Sequence, residues 1–157
     1  MVELFTCSHY RFASAMGQPV RISLMLPRWR PEARDWPVCW TLCVRWRYFN
    51  ADDWEQQYLA QLDRYGVAAI RSELEGIAAE HDTTQLVLLC FERQIDPHGC
   101  HRRTFARWWW RHTRESVPEL DPAPHTPLGE RWATDQLTQT GPGQYEVSSV
   151  EEPTEEE

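Results

Sequence analysis

Leu86-Val-Leu-Leu-Cys-Phe91 is a continuous apolar run, and it constrains the fold more than any other stretch of the chain. The turn-like His81-Asp82-Thr83-Thr84 precedes it, and a loop over 93–99 with Pro97 and Gly99 follows. A short apolar run between such boundaries reads as a central strand covered on both faces. Cys100, His101 and Arg102 then open a helix predicted to reach Arg114. A strand end facing a helix start is where α/β proteins collect their chemistry.

The elements around that strand follow from pattern. Residues 2–7 read as a first strand running into a Ser8-His9-Tyr10 loop. Residues 19–26 are rich in β-branched and apolar side chains and read as a second strand closed by Pro27. Pro27, Pro31 and Pro37 mark 27–37 as a loop. Residues 38–49 fit either a partly buried strand or a packed irregular segment. Asn50 or Asp52 can cap a helix with Trp54, Tyr58, Leu59 and Leu62 at helical spacing. Gly66 interrupts it, and Ile70, Leu74, Ile77 and Ala78 mark the buried face of a second helix over 67–80. Strand, strand, helices, strand, helix predicts a small single-domain α/β fold with an at least partly parallel sheet flanked by helices.

Charge divides the chain. Residues 1–115 carry 15 Arg against 14 acidic side chains, whereas 116–157 carry one Arg against 10. Pro118, Pro122, Pro124 and Pro127 come in quick succession after that boundary. The expected organisation is an α/β domain over 1–115 and a Pro/Glu-rich acidic tail over 116–157, largely disordered. Residues 128–137, with Trp132, form a short amphipathic piece that could dock. The acidic tail argues against direct nucleic-acid binding, because it competes with phosphate for the arginines.

All 16 basic residues are Arg. The absence of Lys excludes Schiff-base chemistry and a P-loop lysine. Five Cys at irregular spacing, no signal-like start and no apolar stretch of membrane-spanning length fit free thiols in a reducing cytoplasm. No nucleophile-elbow, P-loop or dinucleotide fingerprint is present, and no cofactor is expected. Cys39 and Arg45 have a phosphatase-like spacing, but Trp-Thr-Leu-Cys-Val between them lacks the small residues of a phosphate cradle.

The candidate site gathers at the strand end and helix start. A helix N-terminus offers unpaired N–H groups and a positive dipole end, to which His101, Arg102 and Arg103 add donors. The same field favours a thiolate at Cys100, with Cys90 as a second candidate. Glu92 is able to hold a guanidinium, accept a ribose hydroxyl pair, or act as a base. The tentative catalytic set is Cys100, Glu92 and His101. The ligand-binding set is Ser8, His9, Arg21, Cys90, Glu92, Cys100, His101 and Arg102. Ser8 and His9 join it because parallel strands would bring the end of the first strand to the same rim; Tyr10 and Arg11 are weaker candidates. Arg21 lies inside a strand and needs a buried anion or Glu92 as partner.

Each residue has a simpler structural reading. Cys90 fits a small buried core position. Cys100 could only cap or pack, and Glu92 could only pair with Arg102. Arg103, Arg107, Arg111 and Arg114 repeat at helical spacing and read as a solvated face. Phe105, Trp108 and Trp109 read as helix-to-sheet core. Cys90, Cys100 and His101 are types that zinc accepts, but the spacing lacks a Cys-x-x-Cys pair and a fourth ligand, so no metal is expected.

Cys90-x-Glu92 followed by Cys100-His101-Arg102, with the Trp54…Tyr58…Leu62 helix before it, resembles the bacterial and phage domain-of-unknown-function 488 family. The resemblance covers about residues 2–115. Thr6, Ser8 and His9 match the family's N-terminal loop loosely, and its Asp-Val-Arg strand appears here as Pro19-Val20-Arg21. The resemblance implies a compact α/β fold with a pocket at these residues, and no particular reaction.

The leading functional expectation is a pocket for a small anionic, nucleotide-like ligand that the protein processes or sequesters. A cysteine-dependent enzyme using Cys100 or Cys90 is the first alternative, with His9 or His101 as base. A non-catalytic interaction protein, whose acidic tail contacts a basic partner, is the second.

Overall fold

The computed structural model describes residues 1–91 and 100–120, together with the backbone of 136–141 and 144–148. Three parallel strands form the central sheet: β1 (Glu3–Ser8), β2 (Gln18–Arg21) and β3 (Gln85–Cys90). Their order is β1-β3-β2, so the apolar run occupies the middle. Register pairs Leu4 with Leu86 and Ser8 with Cys90 on one side, and Val20 with Leu88 on the other.

The period-2 alternation of β3 explains its composition. Leu86, Leu88 and Cys90 belong to a large core cluster with Leu4, Val20 and Ile22 and with residues of both helices. Val87 and Leu89 belong to a smaller cluster with Cys7 and Phe12, against which Trp36 and Leu120 pack. Both faces are therefore covered, as an unbroken apolar strand requires.

Helix α1 (Trp54–Glu80) crosses from the β2 side of the chain to β3. The expected interruption at Gly66 is present: its φ of 76° and ψ of 163° break an otherwise helical backbone. Tyr58, Leu59 and Leu62 are buried before the break, and Ile70, Leu74, Ile77 and Ala78 after it. Helix α2 (His101–Thr113) packs on α1 through Phe105, Trp108 and Trp109, which are core as expected. Polar contacts lock the helix pair. Trp108 Nε1 donates to Asp63 at 2.9 Å, and Arg107 meets Glu55 at 2.8 Å. Arg107 is thus a buried ion-pair residue rather than part of a solvated face, because Glu55 on α1 reaches it.

Two expected strands end differently. Strand β2 stops at Arg21; Ile22 still donates to the Leu89 carbonyl at 3.1 Å, after which the chain bends away. Met25 and Leu26, assigned above to that strand, are half-exposed. Residues 38–49 are the packed irregular alternative: one parallel bridge at Val38 to Arg21, then short 3₁₀ turns over Trp40–Leu42 and Trp46–Tyr48. Their backbone polar groups are satisfied by side chains of α1 instead of a sheet partner. Gln61 Nε2 donates to the carbonyls of Thr41 (3.0 Å) and Cys43 (2.8 Å), Tyr58 to that of Leu42 (2.7 Å), and Glu73 accepts from the amides of Trp40 and Thr41.

The domain extends past residue 115. The Thr6 amide donates to the Pro118 carbonyl at 2.9 Å and the Leu120 amide to the Thr6 carbonyl at 2.7 Å, a parallel bridge outside β1. Val117 is buried. Within the acidic segment, β4 (Gln136–Gly141) and β5 (Gln144–Ser148) pair as an antiparallel hairpin. Its backbone lies against α2 and α1. The polar, Thr- and Gln-rich β4 carries no apolar alternation to announce a strand.

Candidate functional site: a buried thiol pair on an arginine

Parallel strands end on one rim, so β1 and β3 deliver Ser8, His9, Cys90 and Phe91 together, and Arg21 and Ile22 follow from β2. Cys100 is the N-cap of α2, in extended conformation, and its side chain makes no capping hydrogen bond. Its sulfur turns instead to Cys90, with Sγ to Sγ at 2.9 Å. That separation lies between a covalent S–S bond of about 2.05 Å and ordinary non-bonded contact. Neither cysteine is in a disulfide, and both are fully buried.

Arg102 holds the pair. Its NH1 donates to Cys90 Sγ at 2.7 Å and to Cys100 Sγ at 3.1 Å. A guanidinium has no acceptor, so the sulfur lone pairs receive both bonds. Nε of the same guanidinium donates to Glu119 at 3.0 Å, and NH2 lies 3.0 Å from that carboxylate. Thr6 donates its hydroxyl to the other Glu119 oxygen. Burial alone would push the Arg102 pKa down; the neighbouring Cys90 and Cys100 sulfurs and the Glu119 carboxylate outweigh it and push the pKa up. Arg102 is fully charged in this setting.

His101 completes the cluster. Its Nε2 lies 2.8 Å from the Ile22 carbonyl. A carbonyl only accepts, so Nε2 carries the hydrogen and a neutral ring has its lone pair on Nδ1. A ring nitrogen of His101 and the two sulfurs all lie within 4.8 Å of one another. The ring also forms part of the wall of a cavity of about 170 Å³, with Phe91, Trp46, Phe49, Val44 and Met25. That cavity is predominantly apolar and meets the thiol pair through His101.

The three donors match types that zinc accepts. The geometry does not favour a metal. Arg102 donates to both sulfurs and already supplies the positive charge they share, and no fourth ligand joins the cluster among the described residues.

The remaining candidates are distributed unevenly. Ser8 is buried, and its hydroxyl accepts from the Tyr10 amide at 3.0 Å, so it shapes the turn after β1. The His9 ring stacks on Trp36 with centroids 6.2 Å apart and meets the edge of Phe91 at 5.1 Å. It sits with the smaller cluster rather than beside the sulfurs. Arg21 Nε donates to the Trp36 carbonyl at 3.4 Å, and burial lowers its pKa while Cys43 raises it. Glu92 lies outside the described residues.

Glu119 and Thr6 are site residues that sequence reasoning missed. The usable signal was Arg102 itself: a charge at the start of a helix packed on the sheet needs a carboxylate. Val117 and Leu120 flank Glu119 and mark a short segment able to dock.

Comparison with protein families, with curated proteins and with solved structures found no match for this chain.

Proposed function

We propose that the protein is a cysteine-dependent enzyme acting on a small molecule with a planar, apolar portion. The observation that carries this reading is the sharing of one buried guanidinium by the Cys90 and Cys100 sulfurs. A cation that donates to sulfur favours the thiolate over the thiol, and the thiolate is the nucleophile. The adjoining cavity has the dimensions of a single ring and aromatic walls. His101, at the junction of cavity and thiols, serves as proton acceptor or donor through Nδ1.

The anion-receiving role expected for Arg102 has less support than the nucleophile reading, because its Nε donates to Glu119 and its NH1 to the sulfurs. A nucleotide-like ligand keeps one specific support: Trp46, Phe49 and Phe91 offer faces and edges on which a base ring packs.

The test is consumption of a metabolite. The full chain is incubated with a pool of small metabolites, and both the pool and the intact protein are followed by mass spectrometry. The expected result is turnover of a compound, or an adduct on Cys90 or Cys100, that Cys90→Ser and Cys100→Ser abolish. Identical metabolite profiles with wild type and both variants, and no adduct, would overturn the reading.

A further inference from the structure

We propose that Cys90 and Cys100 are an oxidative modification site, closing into a reversible disulfide when a hydroperoxide reaches them. This deepens the thiol reading above and rests on it in one respect: one sulfur of the pair must react as a thiolate.

Geometry is the main support. The sulfurs need to approach by only about 0.9 Å to reach bonding distance. Cys90 ends β3 and Cys100 precedes α2, so the bond would tie sheet to helix. Cys7 packs with the smaller cluster, and Cys39 and Cys43 lie among 3₁₀ turns held on α1. Burial, together with the Glu73 carboxylate, pushes the Cys39 thiol up; burial pushes Cys43 up to about 12 despite nearby Arg45 and Arg21. The Cys39 and Cys43 thiols therefore stay protonated near neutral pH.

Charge balance is the second support. Arg102 is paired with Glu119 as well as with the sulfurs. Converting both sulfurs to an uncharged disulfide leaves Arg102 matched by Glu119, so oxidation strands no buried charge. An arginine held by thiolates alone would lose its only counter-charge.

The chemistry balances with hydrogen peroxide as oxidant. A thiolate sulfur attacks one peroxide oxygen; the S–O bond forms, the O–O bond breaks, and the departing hydroxide takes a proton to become water. The second sulfur attacks the sulfenic sulfur and gives up its proton. The S–S bond forms, the S–O bond breaks, and a second water leaves. The two sulfurs together lose two electrons and the peroxide gains them. A small thiol reductant reverses the bond by exchange. The oxidised form has no nucleophile, so the proposed activity switches off.

Full-length protein is treated with one equivalent of hydrogen peroxide, alkylated with iodoacetamide in denaturant, digested and analysed by mass spectrometry. The expected product is a peptide pair joined through Cys90 and Cys100, lighter by two hydrogens, with Cys7, Cys39 and Cys43 alkylated. Dithiothreitol returns both thiols. Cys100→Ser gives instead a dimedone-trappable sulfenic acid at Cys90, without a cross-link. Zinc bound stoichiometrically by the purified protein and released on oxidation would overturn the proposal in favour of a metal site. So would thiols that survive peroxide, or direct passage to sulfinic acid. Iodoacetamide labelling of the reduced, folded protein separates the two claims: a pair that alkylates readily but never cross-links defeats the disulfide and leaves the enzyme reading standing.

Discussion

Arg102 and Glu119 form a buried ion pair at 3.0 Å that fastens the first turn of α2 to the segment bridged to β1. The Arg102 side chain is fully buried and that of Glu119 nearly so. Removing one partner of a buried pair typically costs about 3–5 kcal/mol; here the sulfurs bonded to Arg102 offset part of that. Glu119→Ala is expected to lower stability by up to about 3 kcal/mol in urea unfolding. The double variant Arg102→Met with Glu119→Leu should lose much less, because neither charge then needs a partner. A Glu119→Ala protein as stable as wild type would mean that residues 117–120 do not close the site.

Gly66 and Gly76 sit on the same helix and should respond oppositely. Gly66 has φ of 76°, where an L side chain is strained, although a Cβ there would meet nothing within 4 Å. Gly66→Ala is expected to destabilise by about 1 kcal/mol or more. Gly76 is helical with equally open space, so Gly76→Ala should stabilise by about 0.5–1 kcal/mol. Thermal unfolding of the two variants checks the pair; equal effects would place the break in α1 elsewhere.

His112 gives a pH dependence of known sign. Burial lowers its pKa, more than the Asp63 carboxylate raises it. A base with a depressed folded pKa favours the neutral ring. Its contribution is intact above the unfolded value of about 6.5 and is lost as pH falls through that value toward the folded pKa. Stability of wild type relative to His112→Asn should therefore decline below about pH 6.5 in parallel denaturant titrations. A difference between the two that stays flat from pH 7.5 to 5, or that grows as pH falls, would contradict it.

Much of this architecture was legible because local pattern and burial agree. The apolar run at 86–91 could only be a covered strand, and Gly66 announced the break between two amphipathic halves. The irregular 38–49 segment was ambiguous because its backbone is satisfied by Gln61, Tyr58 and Glu73, and such side-chain bonds leave no period in the sequence. Arg107 looked like surface because helical spacing alone cannot show that Glu55 on another helix faces it. Cys90, Cys100, His101 and Arg102 were found as a cluster; Glu119 was not, because proline-rich acidic composition concealed a segment that docks.

The most direct measurement is the native alkylation rate of each cysteine by iodoacetamide near pH 8, read by peptide mass spectrometry in wild type and Arg102→Lys. Burial holds Cys39 and Cys43 protonated there, with Cys43 pushed up to about 12. The expected result is that Cys90 or Cys100 reacts at least about tenfold faster than either of them. Arg102→Lys should slow the pair, since an ammonium lacks the planar fork that reaches both sulfurs and Glu119 together. Equal rates at all four positions, unchanged by Arg102→Lys, would contradict a thiolate-centred function.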